Sequence, residues 1–487
     1  MPDALDRVSG VDVQRRAILT PKNSQVRLRG FDERRSLILL NGRPLNGAGV
    51  YGGFFVDWTS LSLLGLGDAV ISKGAFSAKY GNTLGGTINL IPIVPAEVPE
   101  ALVSAGYKRY DTSSVGGSAS GRYADFGGTL AAGYNSTDGN LRNSEAERID
   151  LGGSLHYFWG AEGEIRFGLR HTDGDFQMPV ENISGQPGFD PDFPESKGEF
   201  LGGPGVPFAG GDTHGDGSYF NKRRTELDLS LRKDIAGIDS DLKLYYNYEE
   251  REDFINSFNT GRRILERELV PDESWGWLTH FGRPLDFGGR HHIGFGVEGN
   301  YIGYGDLTVN FEDPTAFTRP NEDFVGPDGT TRRHGVYIDD EWTPRDDLDL
   351  YFGLRYENYY GNQDVDQVTG YVIGPPGPPI RPEGFETVEA RFDEDAWLPK
   401  FGMVYRPVDD LALHARAARA TRMPDNPAFF WYYAGYQPEL DPRFDITRKP
   451  LSFEDSLQYE AGITTFRIPG MTLGISAYYF QVDDYIR

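Results

Sequence analysis

Four aspartates in two closely spaced pairs are the residues of this 487-residue chain whose types and spacing best suit chemistry. Asp173 and Asp175 form one pair, and Asp190 and Asp192 form the other. Paired carboxylates can bind Ca²⁺ or carry out the acid and base steps of glycan hydrolysis. Both pairs lie in segment 173–218, which has nine acidic residues, one lysine and many glycines and prolines. This composition favours a solvated surface loop; steering of a cationic ligand, or Ca²⁺ held by Asp190 and Asp192, is the alternative.

Cysteine and histidine indicate no further site. The chain has no cysteine, which excludes zinc fingers, iron–sulfur clusters, disulfide scaffolds and thiol catalysis. Among its eight histidines, only His291 and His292 are adjacent, and adjacent residues of a strand point to opposite faces. We therefore expect no metal held by these residues, no cofactor and no catalytic residue. The formal net charge of −25 argues against nucleic acid as a partner.

After about residue 100, apolar and polar residues alternate with a period of two in many short segments. In DLDLYFGLRYENYY, Leu350, Phe352 and Leu354 fall on one face, and Arg355 and Glu357 fall on the other. The same pattern recurs in TELDLSLRK, DLKLYYNYEE, HIGFGVEGNYI, LALHARA and TLGISAYYF. Strict alternation over about 8 to 12 residues predicts strands with one apolar and one polar face.

The predicted strands come in pairs. Short turns such as RKDIAGIDS, TPRDDL and RPVDDL lie within the pairs, and much longer segments lie between them, at about 173–218, 305–331, 361–391 and 421–452. No window approaches about 18 consecutive apolar residues, so no transmembrane helix is expected. Short turns at one end and long loops at the other are typical of outer-membrane barrels, and about 15 strands can be counted. The sequence predicts an all-β, antiparallel transmembrane β-barrel.

Residues 1–97 follow a different pattern. Short apolar runs, SLILLNG, DAVISKG and GTINLIPIV, lie between glycine-rich turns and lack the long alternation. We expect a small separate domain over 1–97 and the barrel over 98–487.

Several segments, in the same order along the chain, resemble TonB-dependent outer-membrane receptors. The pieces that resemble the plug domain of this family are VRLRGF (26–31), LILLNGRPL (37–45), GDAVISKGAFSAKYG (67–81) and GGTINLIP (85–92). The pieces that resemble its barrel are GVYIDDEWTPRDDLDLYFGLRYENY (335–359), LPKFGMVYRPVDDLALHARAARATRMP (398–424) and LSFEDSLQYEAGI (451–463).

The resemblance implies a barrel of the 22-stranded type with an α/β plug domain inside its lumen. In that fold Gly81, Gly85 and Gly86 would let the plug backbone pass close to the barrel wall, and residues 87–91 would form a plug strand. We do not find the family's export signal, the N-terminal box that TonB grips, about seven barrel strands or the terminal aromatic residue. We therefore expect the chain to be an internal fragment.

The resemblance also implies a function, which is uptake of a scarce extracellular ligand across the bacterial outer membrane, driven by TonB. A ferric siderophore is the preferred ligand, and cobalamin, another metal complex or an oligosaccharide is the alternative. Haem is less favoured because segment 424–442 has aromatic residues where haem receptors have a histidine. Aromatic faces suit a rigid iron complex. The expected ligand contacts are Tyr51, Phe54 and Phe55 of the plug, with Trp431, Tyr432 and Tyr433 of a facing loop.

Two plug cations and two barrel glutamates are expected, from the same resemblance, to pair and to hold the plug in place. The matching residues are Arg29, Lys73, Glu454 and Glu460. Glu454 and Glu460 are six residues apart and share one face of a strand, so they could also simply face water in the lumen. Lys73 stands where arginine is usual, and an ammonium cannot make the bidentate contact of a guanidinium, so we expect the weaker pair there.

Two other classes of protein fit parts of the pattern. A passive, porin-like or adhesive barrel would explain the alternation but predicts no plug. A soluble β-rich enzyme would need a carboxylate pair or triad on one strand face, and we find no convincing one in the sequence.

Overall fold

A computed structural model describes most of the chain. The described residues are 5–14, 25–47, 56, 58, 61–62, 64–160, 162–180, 182–185, 189–197, 213–214, 217–259, 262–304, 308–311, 324–325, 329–372, 381–424 and 452–486. The strands are β1 Val11–Gln14, β2 Gln25–Leu28, β3 Ser36–Leu40, β4 Arg43–Pro44, β5 Leu66–Lys73, β6 Gly86–Pro92, β7 Glu100–Lys108, β8 Thr112–Tyr123, β9 Phe126–Thr137, β10 Ala146–Trp159, β11 Gly163–Gln177, β12 Thr213–His214, β13 Tyr219–Ile235, β14 Ile238–Asn259, β15 Arg262–Asp286, β16 Arg290–Tyr304, β17 Thr308–Phe311, β18 Phe324–Val325, β19 Gly329–Arg345, β20 Leu348–Val372, β21 Arg381–Val408, β22 Leu411–Arg422, β23 Glu454–Ile468 and β24 Met471–Asp483. A 3-10 turn covers Glu33–Arg35.

Strands β7 to β24 form a closed barrel. Apart from the short β12, β17 and β18, fifteen long strands follow one another around the wall of the described barrel, each antiparallel to the strand before it. The barrel closes between β24 and β7. Every residue of β7 and most residues of β24 are exposed. Both faces of these two strands are therefore more exposed than those of the other described barrel strands. The predicted antiparallel β-barrel of about 15 strands is confirmed.

Hairpin turns at one end of the barrel are short, as predicted. Ala236 and Gly237 connect β13 to β14, both with the positive φ of a tight turn, at 56° and 76°. At the other end the predicted loop 361–391 is largely wrong, because β20 continues to Val372 and β21 begins at Arg381. A strand that extends beyond the bilayer needs no apolar face, so hydrophobic alternation cannot mark its end.

The two faces of the barrel strands differ in exposure as the alternation predicts. On β20, Phe352 and Leu354 point outward and are 44% and 40% exposed, whereas Arg355 and Glu357 point into the lumen and are fully buried. Outward apolar residues of other strands repeat this exposure, among them Leu229, Leu244, Phe295, Ile338 and Phe401. No helix in the described part of the chain is long and apolar enough to cross a membrane.

A charge on the outward face should destabilise the barrel in a manner that depends on depth. Replacing Phe352 with arginine should lower the free energy of unfolding by about 2–4 kcal/mol, because the charge would lie near the middle of the bilayer. Leu348→Arg, on the same face beside the 346–347 turn, should cost at most about 1 kcal/mol. Urea unfolding of the receptor in lipid vesicles measures both. Equal costs at the two positions would contradict the assignment of this face to lipid.

Inside the barrel, the plug contains two small sheets. Strands β1 and β2 form a two-stranded antiparallel sheet. A second sheet, the four-stranded plug sheet, has the order β4-β3-β6-β5, with β3 and β6 parallel. Strand β6 confirms the strand predicted at 87–91. Leu28, Ile38, Leu40, Ile88 and Leu90 are buried in one core that joins both sheets. The division of the chain at residue 97 stays a prediction; the last plug strand ends at Pro92 and the first barrel strand begins at Glu100.

Candidate functional site

The six aromatic residues expected to contact a ligand lie outside the described residues. They are Tyr51, Phe54, Phe55, Trp431, Tyr432 and Tyr433. Their role therefore stays a prediction. The part of the candidate site that can be described is the interface between the plug and the lumen face of the barrel, where Arg29, Glu454 and Glu460 of the four residues expected to form ion pairs are found.

Arg29 and Glu460 form a bidentate ion pair between plug and barrel. The Arg29 Nη1 atom donates to Glu460 Oε2 and its Nη2 lies beside Oε1, both at 2.9 Å. Both side chains are less than a tenth exposed. The guanidinium also lies over the Tyr478 ring, 4.7 Å from its centroid. Because parallel N–H groups match the two oxygens of a carboxylate, this pair fixes the orientation of the plug as well as its position.

Glu454 pairs with Arg35, a residue that was not predicted from the sequence to contact the barrel. Arg35 Nη2 and Nε donate to the two Glu454 oxygens at 2.5 and 3.0 Å, and the Glu454 side chain is fully buried. Lys73, the second cation expected from the resemblance, has no carboxylate within ion-pair distance among the described residues. Instead, its stem passes the backbone at Gly10, where an added Cβ would lie 3.3 Å from its Cδ.

The local sequence explains why Arg35 reaches the wall. Residues Glu33–Arg35 form a 3-10 turn that ends where the buried strand β3 begins, so Arg35 lies at the rim of the plug sheet. Asp32 accepts from Arg35 Nη1 at 3.0 Å, which fixes the side chain toward the barrel. The signal available in the sequence is an arginine directly before the apolar run SLILL.

Lumen residues of β21 and β23 also contact plug backbone. Gln458 is fully buried; its carbonyl accepts from the Ala75 amide at 2.9 Å, and its amide donates to the Leu84 carbonyl at 2.8 Å. Lys400 of β21 donates to the Ala75 carbonyl at 2.5 Å. Plug backbone groups that lie outside the plug's own sheets therefore have hydrogen-bond partners on the barrel, as buried polar groups require.

A buried cluster on β20 holds the glycine-containing plug segment 78–82. Arg355 donates to the carbonyls of Ala78 and Lys79 at 3.3 and 3.2 Å, and Glu357 accepts from the Asn82 amide at 3.2 Å. A Cβ added at Gly81 would overlap the Glu357 carboxylate and the Arg355 guanidinium. Gly81 therefore permits close approach to the wall, as expected.

The other two glycines of this segment serve a different purpose from the one expected. A Cβ at Gly85 would meet Ser36 and Phe31, and a Cβ at Gly86 would overlap the Ser72 carbonyl. These neighbours belong to the plug itself. Gly86 also has a φ of 118°, which side-chain-bearing residues rarely adopt. Both glycines thus permit packing within the plug, and only Gly81 of the three faces the barrel.

Gly81→Ala should weaken plug docking by about 1–3 kcal/mol, the usual cost of overpacking a buried site. Gly67→Ala in strand β5 is the matched control, because its added Cβ would find only ordinary contacts at 3.6 Å or more. Protease sensitivity of the plug as a function of urea measures both. A Gly81→Ala plug as resistant as the control would show that the segment does not approach the wall as described.

Glu33 is a buried carboxyl of the plug whose ionisation should affect plug stability. It is 8% exposed, and its Oε2 has no hydrogen-bond partner in the described structure. Burial raises the pKa of Glu33 from 4.5 to about 7. Between these values the folded plug keeps a proton that the unfolded chain releases.

Plug stability should therefore fall as pH rises from about 5 to about 7 and then level off, by about 3 kcal/mol from this group. Glu33→Gln should remove that part of the slope. The measurement is protease sensitivity of the plug across this pH range, in parent and variant. Parallel pH profiles for the two proteins would contradict a protonated Glu33.

One aspartate of each pair, Asp173 and Asp190, has a structural partner for its side chain. Asp173 and Asp175 lie on β11, not in a loop as expected, and Asp173 faces Arg223 at 3.4 Å. Asp190 Oδ1 accepts from the Asp192 amide at 2.9 Å, as in an Asx turn. Among the described residues, no group of three or more histidine, aspartate or glutamate side chains could hold a metal ion.

Comparison with known proteins agrees with this architecture. Residues 1–87 match the family model described as TonB-dependent Receptor Plug Domain, and residues 166–487 match the model described as TonB dependent receptor-like, beta-barrel. The second match covers more than half of the chain.

Solved structures share the fold. They include the ferric yersiniabactin uptake receptor FyuA from Yersinia pestis (15% identity, TM-score 0.71), the ferric citrate transporter FecA in its unliganded form (14%, 0.74) and the pyoverdine receptor FpvA from Pseudomonas aeruginosa bound to pyoverdine (16%, 0.70). Each alignment covers 99% of this chain and, in the same order, 70%, 67% and 66% of the other chain. With a plug sheet held inside a β-barrel and both family models matched, this chain belongs to the TonB-dependent receptor family.

Proposed function

We propose that the receptor containing this chain takes up a ferric siderophore across the bacterial outer membrane, driven by TonB. The observation that carries the proposal is the plug, whose buried cations pair with buried carboxylates of the barrel wall. A lumen occupied in this way does not suit passive diffusion. A receptor with a removable plug suits a ligand that is bound first and admitted afterwards.

The plug contacts support the proposed need for an energy source. Arg29–Glu460 and Arg35–Glu454 are both buried ion pairs. Separating one member of such a pair from its partner costs about 3–5 kcal/mol, because the remaining charge stays desolvated. We infer that work done through TonB on the plug opens these pairs.

The ligand class is supported by the fold relatives and by the aromatic residues of the sequence. These relatives are an uptake receptor for ferric yersiniabactin, a transporter of ferric citrate and a receptor bound to pyoverdine. Tyr51, Phe54 and Phe55, with Trp431, Tyr432 and Tyr433, would supply flat, rigid contact area to an iron complex. Cobalamin, another metal complex or an oligosaccharide is the second candidate.

A binding screen tests the ligand class. The full receptor in outer-membrane vesicles is titrated with ferric catecholate, hydroxamate and carboxylate siderophores, cyanocobalamin and maltooligosaccharides. We expect one iron complex to bind at least about 100-fold more tightly than the other two classes, equivalent to about 2.7 kcal/mol. Preferred binding of cyanocobalamin or an oligosaccharide would contradict the siderophore assignment.

The aromatic residues are then tested with the ligand found. Alanine at Tyr51, Phe54 or Phe55, and separately at Trp431, Tyr432 or Tyr433, should lower affinity by about 10-fold or more at a contact residue. Tyr360→Ala, on the far side of β20 from the lumen, is the control. Unchanged affinity in all six variants would exclude these residues from the site.

A further inference from the structure

A second set of plug–barrel contacts is centred on Arg43. This residue is 1% exposed and lies in β4, at the edge of the four-stranded plug sheet. Its Nη1 donates to Asn247 Oδ1 at 2.8 Å, and its Nη2 donates to Glu226 Oε2 at 2.9 Å. Its Nε lies 3.6 Å from Asp228 Oδ1. These partners belong to strands β13 and β14, far from the β23 contacts along the chain.

Barrel side chains also hold the plug backbone on both sides of Arg43. Lys243 Nζ donates to the Asn41 carbonyl at 2.6 Å, and Arg224 Nη2 donates to the Leu45 carbonyl at 3.0 Å. Asn41 and Gly42 have φ values of 50° and 79°, which form the tight turn that presents Arg43 to the wall. The whole turn is therefore fixed by side chains of β13 and β14.

This wall is opposite the one that binds Arg29 and Arg35. Counting the fifteen long strands around the closed barrel, β14 and β23 are seven strands apart in one direction, and β23 and β13 are seven apart in the other. The plug is thus held at this wall as well as at β20, β21 and β23. The arginines of the two walls belong to different parts of the plug, because Arg29 and Arg35 lie outside the four-stranded plug sheet and Arg43 lies within it. Gln458 of β23 also binds the segment between β5 and β6, through Ala75 and Leu84.

We propose that Arg43 is a positioning residue that anchors the four-stranded plug sheet to β13 and β14 independently of the Arg29 and Arg35 ion pairs. Those two ion pairs with β23 can then open while the sheet stays attached to β13 and β14. Arg29 and Arg35 precede Arg43 along the chain, so a displacement that starts at the N-terminal side reaches the β23 contacts first.

The barrel carboxylates keep partners of their own when Arg43 is replaced. Glu226 also accepts from Arg224 at 2.7 Å, and Asp228 also pairs with Arg166. Removing Arg43 therefore leaves the ion pairs within the wall in place, and the loss falls on plug docking. Arg43 therefore differs from a residue whose only role is to stabilise the barrel.

Thiol labelling can test the proposal, because the chain has no cysteine of its own. Two reporters are placed singly in the full receptor in outer membranes, Phe31→Cys between Arg29 and Arg35 and Ser62→Cys in the plug beside β11; both parent residues are buried, at 8% and 5% exposure. Phe31 packs against Ala420 of the barrel, in a cluster separate from the core beside Ser62. The double variant Arg29→Gln/Arg35→Gln should raise the labelling rate of the Phe31→Cys thiol by about 100-fold or more and leave the Ser62→Cys thiol within about threefold.

Arg43→Gln should give the reverse pattern. Arg406→Gln removes an exposed pair with Asp349 and should change neither reporter. If Arg43→Gln does not assemble, Asn247→Leu removes one acceptor from the barrel side and should raise labelling of the Ser62→Cys thiol by about 10-fold. Exposure of both reporters by either set of substitutions, or no exposure of Ser62→Cys by Arg43→Gln or Asn247→Leu, would overturn the proposal.

Discussion

Arg35→Gln should weaken plug docking by about 3–5 kcal/mol, whereas Lys73→Gln should change it by no more than about 0.5 kcal/mol. The difference follows from the partners. Arg35 makes two short contacts to the fully buried Glu454, and without them the nearest cation to that carboxylate is Arg422, at 3.5 Å. Lys73 has no such carboxylate in the described structure, so its charge can be lost at little cost.

Urea-dependent protease sensitivity of the plug, in the full receptor, measures both variants. A double-mutant cycle of Arg35→Gln with Glu454→Gln adds a direct test of the pair. Residues in contact should be non-additive by about 0.5–3 kcal/mol. Strong weakening by Lys73→Gln together with additive effects of Arg35→Gln and Glu454→Gln would show that the family's expected cation, and not Arg35, pairs with Glu454.

Glu357→Gln should have an effect of the same size on the contact between the β20 cluster and plug segment 78–82. Glu357 is fully buried and lies 2.6 Å from Arg355 and 3.1 Å from Arg333. It also accepts hydrogen bonds from Tyr359 and from the Asn82 amide of the plug. Without its charge, both arginines must share Glu298, so we expect a loss of about 3–5 kcal/mol, divided between barrel stability and plug docking.

Glu341→Gln provides the control, because this carboxylate is exposed on β19 and should contribute less than about 0.5 kcal/mol. Urea unfolding in vesicles reports barrel stability, and protease sensitivity reports plug docking. If Glu357→Gln behaves like Glu341→Gln in both measurements, the β20 cluster does not hold the plug.

The strands of the barrel could be predicted from the sequence because lipid and lumen impose opposite demands on alternate residues. Phe352 and Glu357 differ in exposure for this reason, and any register error would reverse them. Beyond the bilayer that demand ends. The continuation of β20 to Val372 therefore could not be read from hydrophobic alternation.

The plug contacts were predictable only in part. The resemblance placed Arg29 and Glu460 together, and their side chains meet in the structure. It suggested Lys73 where the structure has Arg35, because a matched position along the chain does not determine where a long side chain ends. Arg43 and Glu226 are 183 residues apart, and no local pattern in a single sequence joins them.

The glycines show the same limit of prediction from sequence alone. Gly81 and Gly86 lie in one glycine-rich stretch, and the sequence treats them alike. In the structure a Cβ at Gly81 would meet the barrel, whereas a Cβ at Gly86 would meet the plug's own strand β5. Composition indicates that the backbone approaches something closely. Only the tertiary structure shows what it approaches.

The most direct test of energy-coupled uptake is the accumulation of radiolabelled ligand by cells that carry the full receptor, with the proton gradient intact or collapsed. The proposed function predicts that surface binding is the same in both conditions and that accumulation falls to background when the gradient is collapsed or TonB is absent. Equal accumulation in all conditions would contradict it and would indicate a passive barrel.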